Sequence, residues 1–308
     1  MLMLSGSARL HAPGSSGAGR MALRALPWLG RWTALGLAGV AFLFPIYWVV
    51  TMAFKPEFEW DSSGGKIFWF PQHWTLDNFR IVFGHAPTSQ FVDVTTSQSA
   101  VPYIENSLIT ASGGTVVALV VGTFAAYGVS RFRAGGRRFP LAVLLMRALP
   151  ALVFLIPLFF LLFYLGLFDT YEGLILVYAG VTFPFVVWLM RSFILDVPRE
   201  ISEAAIVDGC SHWGAFFKTV LPLVLPGFAA TTFFVFILNW SDLLIGLMLT
   251  QQHATTATVF MQSYATKAGT LYGQQAALQV LLILPPLVLG IAIRRYLVRG
   301  LTFGAIKR

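Results

Sequence analysis

Residues 203–209 read Glu203-Ala204-Ala205-Ile206-Val207-Asp208-Gly209, and Leu221-Pro222 follows after residues 210–220. This is a charged island of helix-and-turn chemistry in a chain that is 57% hydrophobic and only 11% charged. Soluble domains carry charge on about a quarter of their residues. With a mean hydropathy of +0.74, the 308 residues belong in a bilayer, and the island marks the place where a membrane protein meets something soluble.

The island predicts its own local structure. Pro198 suits the first turn of a helix, where a missing N–H is not needed, and Glu200 and Glu203 favour the positive end of the helix macrodipole. Gly209 can adopt the left-handed conformation that stops the helix. Ser211 is placed to cap a second helix from near His212, running toward the next apolar run and interrupted at Pro222. The expected object is a helix, a tight turn and another helix on one face of the membrane.

Working outward, each spanning helix needs about 20 apolar residues. Residues 1–31, rich in Gly, Ser, Ala and Arg without a convincing cleavage signal, read as a disordered cytoplasmic tail. The membrane domain then occupies residues 32–299. Span one is the uncharged run 32–54. Residues 55–106 are mixed, aromatic and punctuated by proline, an ordered external loop with a short helix near 76–83. Span two, 107–130, contains Gly113, Gly114, Gly122 and Gly128, small residues that let membrane helices approach closely. Span three is 139–168 with Arg147 near its start, and span four is 173–193. The coupling island, 191–218, leads to span five within 223–249, which contains Asn239, Trp240, Ser241 and Asp242. Residues 251–275 form a second external segment, 276–293 make span six, and 300–308 are a tail.

Lysine and arginine set the orientation. Of 21 such residues, only Lys55, Lys66, Arg80 and Lys267 fall outside, Arg147 falls within a span, and the remainder lie in the tails, in 131–138 and in the island. That bias predicts an all-α integral membrane protein of six transmembrane helices, multi-pass, with both termini cytoplasmic. The same topology explains the net charge of +8 without invoking nucleic acid. One cysteine, Cys210, excludes an internal disulfide, and the five scattered histidines offer no metal-ligand spacing. No Gly-x-x-x-x-Gly-Lys-[Ser/Thr] cradle is present, so the chain does not hydrolyse ATP by that route.

Two isolated charges in the spans are of interest. Asp242 in a long apolar run must face the bundle interior or a wet cavity. It is either a pathway or gate residue, or a structural partner for Arg147 or for a carbonyl-anchored helix bend. An integral membrane enzyme would need more clustered catalytic groups than these. Arg147 is equally consistent with snorkelling to the inner interface.

Glu203-Ala204-Ala205, the spacing to Gly209, and Leu221-Pro222 resemble the EAA loop of ABC importer permeases, with Thr219 where the family pattern has Ile. Gly300-Leu301-Thr302-Phe303-Gly304-Ala305-Ile306-Lys307 is similar to the C-terminal signature of the maltose-type, carbohydrate branch, and Asn239-Trp240-Ser241-Asp242-Leu243 resembles its Trp-Asn-Asp/Glu element. The likeness runs from about residue 30 to the end.

The resemblance implies a type I importer permease fold with a cytoplasmic coupling helix. Glu203, Ala204, Ala205, Asp208, Gly209, Leu221 and Pro222 would meet the ATPase. Gly300, Leu301, Thr302, Gly304 and Lys307 would reach it through the tail, and Asn239, Trp240, Ser241, Asp242 and Arg147 are the candidate pathway residues. It implies no cofactor on this chain, with ATP and Mg held by partner subunits. The implied partners are a second homologous permease, two ATPase subunits, an external sugar-binding protein and the lipid bilayer, in a bacterial-type inner membrane. The competing reading is an ion-coupled secondary carrier using Asp242 and Arg147.

Overall fold

The computed structural model describes residues 17–60, 68–85, 98–136, 138–146, 151–266 and 269–305. In order these form α1 (Gly17–Ala53), α2 (Glu57–Trp60), α3 (Asp77–Val82), α4 (Val101–Phe132), α5 (Phe139–Met146), α6 (Ala151–Tyr164), α7 (Tyr171–Asp196) and α8 (Arg199–Val207). They continue as α9 (His212–Ala215), a π turn (Phe216–Val220), α10 (Leu221–Trp240), α11 (Leu244–Leu249), α12 (Ala257–Phe260), a 3-10 turn (Met261–Tyr264), a two-residue antiparallel pair β1 (Ala265–Thr266) and β2 (Gly269–Thr270), and α13 (Tyr272–Ala305). The protein is an all-α integral membrane fold. Among the described residues, five segments are long and apolar enough to cross a bilayer: Gly30–Ala53, Val101–Phe132, Tyr171–Asp196, His212–Trp240 and Tyr272–Tyr296.

Residues up to Val50 form a unit of their own and residues from Thr51 onward a second. In the second, α4 and α7 pack along their length and α10 lies against α4, α7 and α13. The α4–α7 seam is close because α4 presents glycines to it. A Cβ on Gly122 would lie 2.6 Å from Val186 Cγ1, and one on Gly114 would lie 2.7 Å from Tyr178 Cβ. The small-residue reading of span two is therefore a contact in the structure. Leu119, Tyr127, Val186, Met190, Ile194, Phe216, Val220 and Val235 bury a core between α4, α7, the π turn and α10. Leu155, Leu162, Leu174, Tyr178, Ile245 and Leu249 bury another between α6, α7 and α11.

Three expectations are corrected. Residues 17–31 of the expected disordered tail are helical, because α1 begins at Gly17. The intervening Arg, Met, Ala and Leu residues are good helix formers, so the apolar helix propagates backward through them. Residues 1–16 lie outside the described residues. The described parts of the third span are α5 and α6, the latter carrying Pro157; residues 147–150, Arg147 among them, lie outside the described residues. Span five ends at Trp240, and the chain bends before α11. The last helix runs through Gly300 to Ala305 rather than ending before a separate tail, since 296–305 contains no proline and a helix tolerates glycine at about 1 kcal/mol each. Lys307 lies outside the described residues.

The end of the bundle away from the arginines is tied together by buried carboxylate and amide groups. The helix expected near 76–83 is α3, and Asn78 donates to the carbonyls of Ala53 (3.0 Å) and Lys55 (2.8 Å). Glu59, 4% exposed, accepts the backbone N–H groups of Gln72 and His73 at 2.9 and 2.6 Å. Asp169 sits at φ +56°, a left-handed conformation that aspartate tolerates better than most residues. There its carboxylate accepts four consecutive backbone N–H groups, from Gln251 (2.9 Å), Gln252 (3.0 Å), His253 (2.9 Å) and Ala254 (3.1 Å). From the other side Asn106 donates to the carbonyls of His253 (3.0 Å) and Thr255 (2.9 Å). The 251–255 loop is held at both its donors and its acceptors.

This packing has two measurable outcomes. Gly122→Leu drives a side chain into Val186 and is expected to destabilise the bundle by about 1–3 kcal/mol; an unchanged thermal melt of the detergent-solubilised protein would remove the close-seam argument. Burial pushes the Asp169 carboxyl up, but its four backbone donors outweigh this and hold it below its ordinary 3.8. A depressed folded-state pKa contributes stability above the ordinary value, and that stability is lost as pH falls through the folded one. Hydrogen exchange at residues 251–254, corrected for its intrinsic pH dependence, should accelerate below pH 3.8 in the wild type and already be fast at neutral pH in Asp169→Ala.

Candidate functional site

The island folds as a short amphipathic bracket. Pro198 takes the N-cap position of α8 with φ −53° and ψ 140°, an extended conformation its ring favours. Arg199 and Glu200 open the first turn. Along α8, Ser202 and Ala205 are buried, whereas Glu203, Ala204, Ile206, Val207 and Asp208 are exposed. Val207 is 87% exposed. Ile201 and Ile206 are exposed with it, at 38% and 37%, beside the exposed carboxylates of Glu203 and Asp208. The helix ends as the glycine signal predicts. Gly209 adopts φ +89° and its N–H reaches the carbonyl of Ile206 at 3.0 Å, while Cys210 N–H reaches that of Ala205 at 3.0 Å. A Cβ on Gly209 would meet nothing within 4 Å. The demand there is conformational, with no steric component.

Ser211 caps the second helix as expected: its hydroxyl accepts the N–H of Gly214 at 3.1 Å. The interruption before span five is displaced from Pro222. Residues Phe216–Val220 form a π turn, in which Leu221 N–H bonds Phe216 O, and Pro222 falls in the first turn of α10. The physical reason is the proline ring, which clashes with the carbonyl four residues back in a regular helix. One wide turn moves that carbonyl aside and lets the helix continue from His212 to Trp240. Thr219, at the position where the EAA pattern has Ile, donates its hydroxyl to the Ala215 carbonyl, a back-bond available only to a hydroxyl-bearing residue. Leu221 is half-buried and Pro222 exposed.

The second group of candidate residues is fanned out and does not converge. Asn239 points to α4, donating to Thr115 Oγ1 at 3.2 Å. Trp240 points to α13, where its indole N–H donates to the Leu282 carbonyl at 3.0 Å. That carbonyl stands four residues before Pro286, which has no N–H to offer it, so the tryptophan supplies the missing donor. Ser241 is exposed and bonds back to Ile237 O at 2.7 Å. Asp242 points to α7 and α11: one carboxylate oxygen accepts Tyr178 Oη–H at 3.3 Å and the N–H groups of Ile245 at 3.0 Å and Gly246 at 3.1 Å. Its own carbonyl accepts the Thr258 hydroxyl at 2.6 Å. Asp242 thus caps the short helix that follows the bend, which is the carbonyl-and-amide-anchored bend among the sequence alternatives. Of the tail residues, Gly300, Leu301, Thr302 and Gly304 lie on the last turns of α13.

Two features had no sequence signal. The Asp169 clamp joins residues more than eighty positions apart, and nothing in 166–172 marks it beyond an acid after a glycine-containing turn. Arg131 and Arg199 donate to backbone carbonyls across the α4–α7 junction, a role that a count of basic residues cannot separate from topology.

Comparison with known proteins fits this architecture. The family model described as binding-protein-dependent transport system inner membrane component matches residues 118–303, a span that takes in the island, the bend and the last helix. The chain is 34% identical over 92% of its length to the probable ABC transporter permease protein y4oR of Sinorhizobium fredii, covering 96% of that protein. It is 33% identical over 90% of its length to the trehalose transport system permease protein SugB of Mycobacterium tuberculosis, covering 97% of it. It is 30% identical over 87% of its length to the diacetylchitobiose uptake system permease protein DasC of Streptomyces coelicolor, covering 93% of it. Its fold matches a chain of a bacterial ABC transporter involved in the import of the acidic polysaccharide alginate, with a TM-score of 0.70, 19% identity and coverage of 93% of this chain and all of the other. Taken with the helix-turn-helix bracket between α7 and α10, these matches make the chain a member of the binding-protein-dependent inner membrane components, a non-enzymatic permease subunit of an ABC importer.

Proposed function

We propose that the chain forms half of the translocation pathway for a sugar or oligosaccharide, that its Arg-rich end is cytoplasmic, and that α8 is the element through which the ATPase moves it. The single observation that carries the coupling reading is the exposed face of α8, with Val207 87% exposed, presented by a bracket closed at Gly209. The positive-inside bias supports the orientation. The carbohydrate reading is supported by relatives named for trehalose and diacetylchitobiose transport.

A permease of this kind works with ATPase subunits and a binding protein. The finer composition proposed is one second, related permease, two ATPases that hold ATP and Mg, and an external sugar-binding protein. Nucleotide-driven closure of the ATPases would displace α8 and rock the helices between inward- and outward-facing states. Gly300, Leu301, Thr302, Gly304 and Lys307 would add a second contact to the ATPases at the end of α13.

Within the membrane, Asn239, Trp240 and Asp242 anchor the end of α10 to α4, α13 and α7 respectively. Of the four residues 239–242 only Ser241 is exposed, so it is the one proposed to face the pathway. Asp242 acts by fixing the bend that positions it. An ion-coupled carrier would need Asp242 free to exchange a proton or ion, whereas its contacting oxygen already accepts three donors.

Two measurements test these assignments. Gly209→Val places a β-branched residue at φ +89°, at a strain of about 1–2 kcal/mol or more. It is expected to abolish uptake into proteoliposomes and to reduce co-purification of the ATPase subunits; wild-type levels of both would overturn the coupling assignment. Asp242→Ala removes a cap and leaves Tyr178 Oη and two backbone N–H groups without their acceptor, a loss of about 2–4 kcal/mol. Asp242→Asn, which keeps an acceptor oxygen, is expected to retain most stability and uptake. Equal loss of uptake in both variants with unchanged thermal stability would favour the ion-coupled carrier, as would uptake that persists without ATP.

A further inference from the structure

The only covalent path from α8 back to α7 is the extended pair Val197 (φ −83°, ψ 121°) and Pro198 (φ −53°, ψ 140°). The two residues make no hydrogen bond to each other, so the angle between α7 and α8 is held by what braces the link from outside. Force applied to α8 would be lost in it unless something else joined α8 to the bundle. Two arginines brace it: Arg199 ties α8 itself to α4, and Arg131 ties α4 to the end of α7 and to the link. Arg131, in the last turn of α4, donates through one guanidinium nitrogen to the carbonyls of Ile194 (3.3 Å) and Val197 (2.9 Å), the last turn of α7 and the link itself. Arg199, the first residue of α8, donates to the Ser130 carbonyl in the last turn of α4 at 3.1 Å. All three accepting residues are at most 8% exposed. Each arginine caps a helix C-terminus other than its own, where unpaired carbonyls and the negative end of the macrodipole favour a cation. Glu200 and Glu203 on α8 lie near enough to attract the Arg131 guanidinium as well.

We propose that Arg131 and Arg199 form a two-way latch that makes α8, the 197–198 link and the cytoplasmic ends of α4 and α7 one rigid body, so that displacement of α8 is delivered to α4. The proposal rests on the reading of α8 as the ATPase-docking helix. Its consequence reaches the membrane interior. The glycine seam holds α4 to α7, and Thr115 on α4 receives Asn239 of α10. A push on α8 therefore arrives beside the bend at Ser241–Leu243 through α4, without needing to travel along α10. Arg131 and Arg199 are positioning residues in this scheme, acting through helix carbonyls.

The latch is tested by spin labels at Val116→Cys on α4 and Ile201→Cys on α8 in a Cys210→Ser background; both positions are exposed, at 59% and 38%, and neither is among the residues proposed to meet the ATPase. In the wild-type complex with its ATPase subunits, the label separation should be narrow and should hold its maximum between the nucleotide-free state and the state trapped with Mg-ATP and vanadate. Arg131→Leu and Arg199→Leu should broaden it, or shift it on trapping, by about 2 Å or more, the scale of helix displacements at interfaces. Arg131→Lys and Arg199→Lys, whose single ammonium can still reach a carbonyl, should fall between. In the same complexes, vanadate-sensitive ATP hydrolysis should persist in the leucine variants while uptake falls, which a merely destabilised subunit would not produce. A wild-type separation that shifts on trapping as far as the variants do would overturn the proposal, as would variant distributions as narrow as the wild type's. Failure of the ATPases to co-purify with the wild-type chain would instead sink the docking reading, and the label widths of the isolated permease would still decide the latch.

Discussion

A backbone carbonyl inside hydrocarbon has no water to turn to, and several breaks and ends among the described helices are organised by that constraint. Pro286 withdraws the donor that would have met Leu282, and Trp240 replaces it from a neighbouring helix. Pro222 would press on the carbonyl four residues back, and a π turn moves that carbonyl away. The carbonyls at the ends of α4 and α7 are met by Arg131 and Arg199. Where the chain turns after Trp240, Asp242 takes up the amides that open α11. Among the described residues these polar side chains are used on main-chain groups, which is why Asp242, isolated in the sequence, is partnered in the fold.

The same constraint separates parts that can move from parts that cannot. Between α4 and α7 the glycines bring backbones so close that any added carbon collides, and packed interfaces of that kind shift as units. On α13, by contrast, Ile283, Leu284, Leu287, Val288 and Ile291 remain exposed, apolar surface suited to lipid or to another subunit. The bracket 199–215 lies at the end of the closely packed pair, so whatever it receives is passed first to the part of the bundle least able to deform.

Much of this was legible along the chain. The ends of α8 were readable because helix signals are local: proline before, carboxylates in the first turns, a glycine at the stop and a serine to start again. The spans were readable because twenty or so apolar residues in a row have few other uses. What sequence left out depends on distance. Asp169 needs the amides of 251–254, Trp240 answers a proline on another helix, and Arg131 needs the end of a different helix. The π turn was invisible for another reason: Phe, Lys, Thr and Val are ordinary helix residues, and only their position before Pro222 asks for a wide turn.

The π turn has one more implication. A wide turn holds one residue more than an α turn, and each residue in a helix rotates its successor by about 100°. The exposed face of α8 and the buried face of α10 are therefore set at their mutual angle by a surplus of one residue within 216–220. Phase, as much as chemistry, connects the two ends of this segment. Loss or gain of a single residue there would leave every side chain of the EAA pattern present and correctly spaced within its own helix, yet aim the bracket at a different quadrant of the bundle.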